Sequence, residues 1–218
     1  MMALFKNQIF REWTLCRRQW HKIAHAGLFF LLMMVILPLC LPANTTLLHA
    51  IVPGYLWLSV LFALLLSAEG MFQHDHDEGV IELWLLSNQP MSVFMVAKLL
   101  VFWFITIVPI LLMCPLLGLL FALNSMEIMQ LMLGLFLGTP AMLCLCALAS
   151  VLGMGVRQKS VLMGLIVLPL VIPLIIFGSD VTTTTSPLGI LALLLGVSLG
   201  SMVLFPWAIS GCWRMMVL

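Results

Sequence analysis

The sequence predicts an all-α membrane protein with about six transmembrane helices behind an N-terminal interfacial amphipathic helix. Composition is the first reason. Of 218 residues, 64% are hydrophobic and 8% charged, against roughly 25% charged in an ordinary soluble domain. Patterning is the second, because the apolar residues gather into runs close to the roughly 20 residues that cross a bilayer. Charge placement is the third: all nine Lys and Arg side chains fall on alternate connections between those runs.

Residues Leu4 to Ile23 come first, with Phe5, Ile9, Trp13, Cys16, Trp20 and Ile23 at spacings of three and four. Those spacings draw one stripe on a helix, with Arg11, Arg18 and Lys22 opposite. An aromatic stripe facing cations suits a helix lying in the headgroup region of membrane lipids. The first apolar run starts only after His25, so it reads as a retained span rather than a cleaved signal.

The expected spans are Ala26–Leu41, Ile51–Ala68, Ala97–Leu123, Ile128–Gly153, Val161–Phe177 and Leu188–Trp213. Pro38 and Pro42 imply a bend or early exit in the first. The connections Pro42–Ala50, Asn124–Glu127 and Gly178–Pro187 hold no Lys or Arg. Lys6, Arg11, Arg17, Arg18 and Lys22 precede the first span, Lys98 borders the second connection, Arg157 and Lys159 lie in the fourth, and Arg214 follows the last. The positive-inside bias therefore puts both termini in the cytoplasm. The spans use nearly the whole chain, leaving one membrane domain over 1–218, with a cytoplasmic interfacial helix at 1–25 and a cytoplasmic loop at 69–96.

Pro109, Pro115, Pro140, Pro169, Pro173 and Pro206 fall in or near the runs, where neighbouring helices satisfy the backbone groups they free. Gly134 with Gly138, and Gly196 with Gly200, have the spacing that lets membrane helices approach closely. The six cysteines include no CxxC and read as small buried hydrophobes.

The loop from Glu69 to Pro90 differs from everything around it. Counting Glu69, it holds five of the eight acidic residues. After Gly79, Val80, Leu83, Trp84 and Ser87 fall on one helical face and Glu82 on another, which predicts a short amphipathic helix offering a polar face to a cytosolic partner. His74, Asp75, His76, Asp77 and Glu78 are ligand types for zinc or iron. The two histidines are two residues apart, however, and a helix does not aim such a pair at one ion. No metal site is expected.

Several functions are excluded. A net charge of +1 gives no nucleic-acid surface. There is no GxxxxGK[ST] phosphate loop and no HExxH, so the chain is neither a P-loop ATPase nor a zinc hydrolase of that type. The near absence of ionisable residues in the spans argues against an ion-coupled carrier and for an external energy source. The methionines read as flexible apolar filling, and His49 is the one histidine expected on the far side of the membrane.

Over nearly its whole length the chain resembles the CcmB family, haem exporter protein B of the cytochrome c maturation system. The resemblance rests on the basic aromatic start, Val52-Pro-Gly-Tyr-Leu-Trp57, the Glu69–Pro90 loop, Leu137-Gly-Thr-Pro140 and Val167-Leu-Pro-Leu-Val-Ile-Pro-Leu-Ile-Ile-Phe177. It implies an ABC-2-type permease subunit that works with a CcmA-like ATPase and with CcmC-like and CcmD-like membrane subunits. Haem is the substrate class implied, either carried across by this subunit or delivered when ATP hydrolysis releases a haem-loaded chaperone, with no bound cofactor. The resemblance also implies that Glu69, Phe72, Asp75, Gly79, Glu82 and Pro90 belong to an ATPase-coupling loop, and that Gly138, Pro140, Pro169 and Pro173 are structural. The chain departs from the family pattern at Gly70 and His74. Two other readings stay open: an ABC-2 permease for a glycan, lipid or drug, and a non-transporting scaffold of the maturation complex, which would work even with an inactive ATPase.

Overall fold

The computed structural model describes residues 2–18, 20–40, 45–87, 89–121, 123–154, 159–182, 184 and 187–217. Pro42 and Arg157 lie outside the described residues, as do the side chains of Arg17, Arg18, Trp20, His21, Lys22, Ile23, His49 and Arg214.

Helix after helix follows the apolar runs: α1 (Met2–Arg18), α2 (Trp20–Cys40), α3 (Thr45–Ala68), α4 (Gln73–Asp77), α5 (Val80–Leu86), α6 (Met91–Leu120), α7 (Ser125–Leu152), α8 (Lys159–Ser179) and α9 (Pro187–Val217). No strand occurs among the described residues. Backbone groups inside lipid can be satisfied only within a helix or a closed barrel, and this chain takes the first course. Five of the described helices are long and apolar enough to cross a membrane, and α2 adds a shorter apolar stretch, Ala24–Cys40. That is the short first span the sequence implied, with Pro38 inside it.

Two expectations change in detail. The opening amphipathic segment ends at Arg18, and residues 20–23 belong to the first spanning helix instead. The burial of α1 also differs from its apolar stripe: among its described side chains Gln8 and Glu12 are the buried ones, whereas Phe10 is 73% exposed and Trp13 is exposed too. A hydrophobic pattern could not foresee this, because the group that draws Glu12 inward is a cation on another helix.

α7 is the hub, and α3, α6, α8 and α9 all pack on it. It starts at Asn124, whose backbone N–H donates to the Glu127 carboxylate at 3.0 Å, satisfying a donor at the helix start. Between α3 and the pair α7/α8 sits Trp57, fully buried. Its indole lies on Gly138 and Gly178, where an added Cβ would collide with the ring, and within 3.7 Å of where a Cβ on Gly134 would stand. The small residues of α7 thus make room for a large side chain as well as for a neighbouring helix. Trp103 on α6 donates its indole N–H to Thr139 Oγ1 at 3.0 Å, next to Gly138.

This packing has a direct test. Gly178→Ala overfills the Trp57 site and lowers the stability of the detergent-solubilised protein by about 1–3 kcal/mol, read as an earlier thermal midpoint in tryptophan fluorescence. Gly164→Ala, in the same helix but with no neighbour within 4 Å of its added carbon, leaves that midpoint unchanged.

Candidate functional site

The acidic loop folds as two short helices rather than one. Gly79 breaks them apart with φ +68, a left-handed conformation that other residues adopt at a cost. α4 lies before the break and α5 after it, and each treats its acidic residues differently.

α4 turns Asp75 inward to 1% exposure. A carboxylate removed from water needs cations and donors to replace its hydration. Lys98, eight residues into α6 and buried, hydrogen-bonds Asp75 Oδ2 and reaches Glu12 Oε2 at 3.3 Å. Arg11 closes the group, 3.6 Å from Asp75 Oδ1 and 3.8 Å from Glu12 Oε1. Gln8 donates to Glu12 Oε1 at 2.9 Å, one turn away on α1. The Lys98 ammonium also stands 5.7 Å from the ring centre of Phe72 and 5.8 Å from that of Phe94, close enough for the ring faces to attract it. Two anions and two cations balance, and three elements (α1, α4 and α6) meet there.

Beside the cluster is a small cavity of about 50 Å³ lined by Cys16, Ser67, His74 and Phe102 as well as the charged groups. Its wall is largely apolar, but its size admits a few water molecules, with Glu12, Asp75, Lys98, Ser67 and His74 as their polar partners. Burial pushes the Cys16 thiol up to about 11, with Glu12 and Asp75 adding to the rise and Lys98 opposing it. At neutral pH the thiol therefore keeps its proton and is a poor nucleophile.

The other residues of the predicted coupling set are distributed around this centre. Glu69 accepts a hydrogen bond from Ser160 at the start of α8. Phe72 is fully buried, and Pro90 stands partly exposed just before α6. Gln73 accepts from Lys159 at 3.4 Å and donates to Asp77 at 2.9 Å. His74 pairs with Glu78 at 3.3 Å when protonated. Among the described residues, no three His, Cys, Asp or Glu side chains converge as metal ligands.

α5 faces the other way. Ile81 is buried and Trp84 packs on Phe94 with ring centres 5.4 Å apart, whereas Glu82 is exposed, Leu83 is 67% exposed and Leu86 83%. The sequence placed Leu83 on the same face as Trp84. In the structure the inward face is Ile81 with Trp84, and Leu83 sits outside beside Glu82. A seven-residue helix has too few turns for its apolar pattern to decide between these faces.

Gly138, Pro140, Pro169 and Pro173 lie within α7 and α8, far along the chain from the charge cluster, with Gly138 under Trp57. Sequence reasoning missed Gln8, Glu12 and the role of Lys98. The available signals were a lone acid in an otherwise basic segment and a lone lysine at the edge of a long apolar run, since an ion there needs a partner. The reactivity of Cys16 follows from its surroundings. Its alkylation by a membrane-permeant iodoacetamide, read by peptide mass spectrometry, stays slow at pH 7.5 and rises about tenfold per pH unit up to pH 9.

Known proteins resemble the chain over nearly its full length. The family profile described as "CcmB protein" matches residues 2–216. The chain is 35% identical over 215 residues to the protein named "Heme exporter protein B" of Haemophilus influenzae, covering 97% of each. It is 35% identical over 179 residues to the protein of that name from Pseudomonas aeruginosa, covering 82% of this chain and 80% of that one. For the protein of that name from Escherichia coli K12 the figures are 32% over 215 residues, 96% and 98%. With the profile matching residues 2–216 and these relatives at 32–35% identity over most of both chains, the chain belongs to the CcmB family.

Proposed function

We propose that this chain is the membrane permease subunit of an ABC exporter that supplies haem for c-type cytochrome maturation, powered by a separate CcmA-like ATPase docked on α4–α5. CcmC-like and CcmD-like subunits complete the complex in the bacterial inner membrane, with both termini in the cytoplasm. Family membership and the names of the relatives support the haem-export reading.

One observation supports the docking reading above the rest: α5 holds itself by Ile81 and Trp84 and turns Glu82, Leu83 and Leu86 outward. Leaving a leucine in water forgoes roughly 1.5–3 kcal/mol of burial, so two on one short helix favour a covering protein. Charge supports the orientation. Arg11, Lys98 and Lys159 all gather around α4, Arg11 and Lys98 on Asp75 and Lys159 on Gln73, and lysine and arginine at this end support reading it as the cytoplasmic one. There Lys6, Phe10 and Trp13, all exposed on α1, suit contact with anionic lipid headgroups.

Two experiments test the proposal. In cells lacking this gene, haem staining of c-type cytochromes disappears while b-type haem proteins stay at normal levels; unchanged c-type cytochromes, with no duplicate gene, would contradict the haem-export reading. Glu82→Lys lowers the amount of ATPase that co-purifies with the permease on the order of tenfold, equivalent to roughly 1.4 kcal/mol, without altering the permease's own elution. Normal co-purification would remove Glu82 from the docking surface.

A further inference from the structure

The buried charges join elements that the backbone scarcely joins. α4 and α5 pack chiefly on each other, and little of their backbone lies along a spanning helix. Their hold on the bundle is through side chains: Phe72, Asp75, Ile81 and Trp84, with Gln73 reached by Lys159 of α8. Of these, Asp75 alone has charged partners on two other elements, Lys98 of α6 and Arg11 of α1. Lys98 in turn reaches back to Glu12 of α1. Every charge in the group is therefore seated against a different element from its own.

We infer that Lys98 is a positioning residue, the pin through which displacement of the α4–α5 segment is passed to the spanning helix α6, with Asp75 and Glu12 as its seats. The inference rests on the reading of residues 69–96 as the coupling loop and adds to it the group that transmits the movement. Apolar contacts such as those of Phe72 and Ile81 are non-directional and let packed surfaces slide. A desolvated ion pair cannot slide apart without leaving both ions unpaired in a poor solvent. α1, α4 and α6 accordingly move as one body. The exposed face of α5 takes no part in the cluster, so docking of the ATPase and transmission of its movement use different side chains.

That separation supplies the test. Variants are expressed with the complete complex in cells lacking the native gene, and three quantities are read: ATPase co-purification, ATP hydrolysis by the purified complex, and haem-stained c-type cytochrome. Lys98→Met keeps the ATPase bound and hydrolysis within twofold of normal, yet lowers c-type cytochrome at least tenfold. Lys98→Arg, which preserves the charge, retains at least half of the cytochrome. Where Lys98→Met fails to fold, the triple variant Glu12→Gln, Asp75→Asn, Lys98→Met removes every buried ion of the group and leaves only the partly exposed Arg11, and it shows the same loss of delivery with the ATPase retained. Normal cytochrome in either variant overturns the inference, as does loss of the ATPase from a folded Lys98→Met permease or failure of Lys98→Arg. Glu82→Lys run alongside separates the two claims: normal ATPase binding in that variant counts against the coupling-loop reading itself, whatever Lys98 does.

Discussion

An ammonium group held eight residues inside an apolar helix has to bring its counterions with it, because the bilayer edge cannot hydrate it. Lys98 meets that requirement by drawing Asp75 from the loop and Glu12 from the N-terminal helix to one point. Much of this end of the molecule follows. α1 lies along α6 with its carboxylate inward and its Phe10 and Trp13 outward, the reverse of what its apolar residues would choose alone. α4 is folded back so that an aspartate is nearly inaccessible, while α5, beyond the Gly79 break, is left to show its leucines. Such a cluster is not a rich source of stability, since desolvation consumes most of what the ions gain from one another. Its value is positional: it allows one arrangement of three elements and penalises every other.

The middle of the bundle obeys a simpler constraint, that of volume. Trp57 is too large for a uniform helix–helix seam, so Gly138 of α7 and Gly178 of α8 yield their side chains to it. Thr139, adjacent in sequence, accepts the indole N–H of Trp103 from α6. Two stretches on which the family resemblance rests, Val52–Trp57 and Leu137–Pro140, therefore meet face to face. Their distinctiveness has a cause in packing: neither can vary alone without a void or a collision.

The sequence made the helices legible because lipid leaves so little choice. Runs of apolar residues near bilayer length become spans, and a proline within one is tolerated by its neighbours. The short first span was foreshadowed by Pro38, and the family followed from motifs that no composition could supply. The charge cluster was not legible in the same way. Glu12 and Lys98 are 86 residues apart, and no periodicity within one helix reports a partner on another. The faces of α5 were misjudged for a related reason: Leu83 and Trp84 are adjacent in a two-turn helix, and tertiary contact with Phe94 decides which of them is inside.

The arrangement of α1, α4 and α6 depends most on Lys98 and Asp75 acting as one unit. A double-mutant cycle on the purified permease, with Asp75→Asn and Lys98→Met singly and together, measures that dependence through thermal or denaturant unfolding. A coupling of about 2 kcal/mol or more is predicted, with the double variant losing much less than the sum of the singles. Additivity within about 0.5 kcal/mol would mean that the two residues act independently, and the buried cluster would then not be what fixes the loop to the bundle.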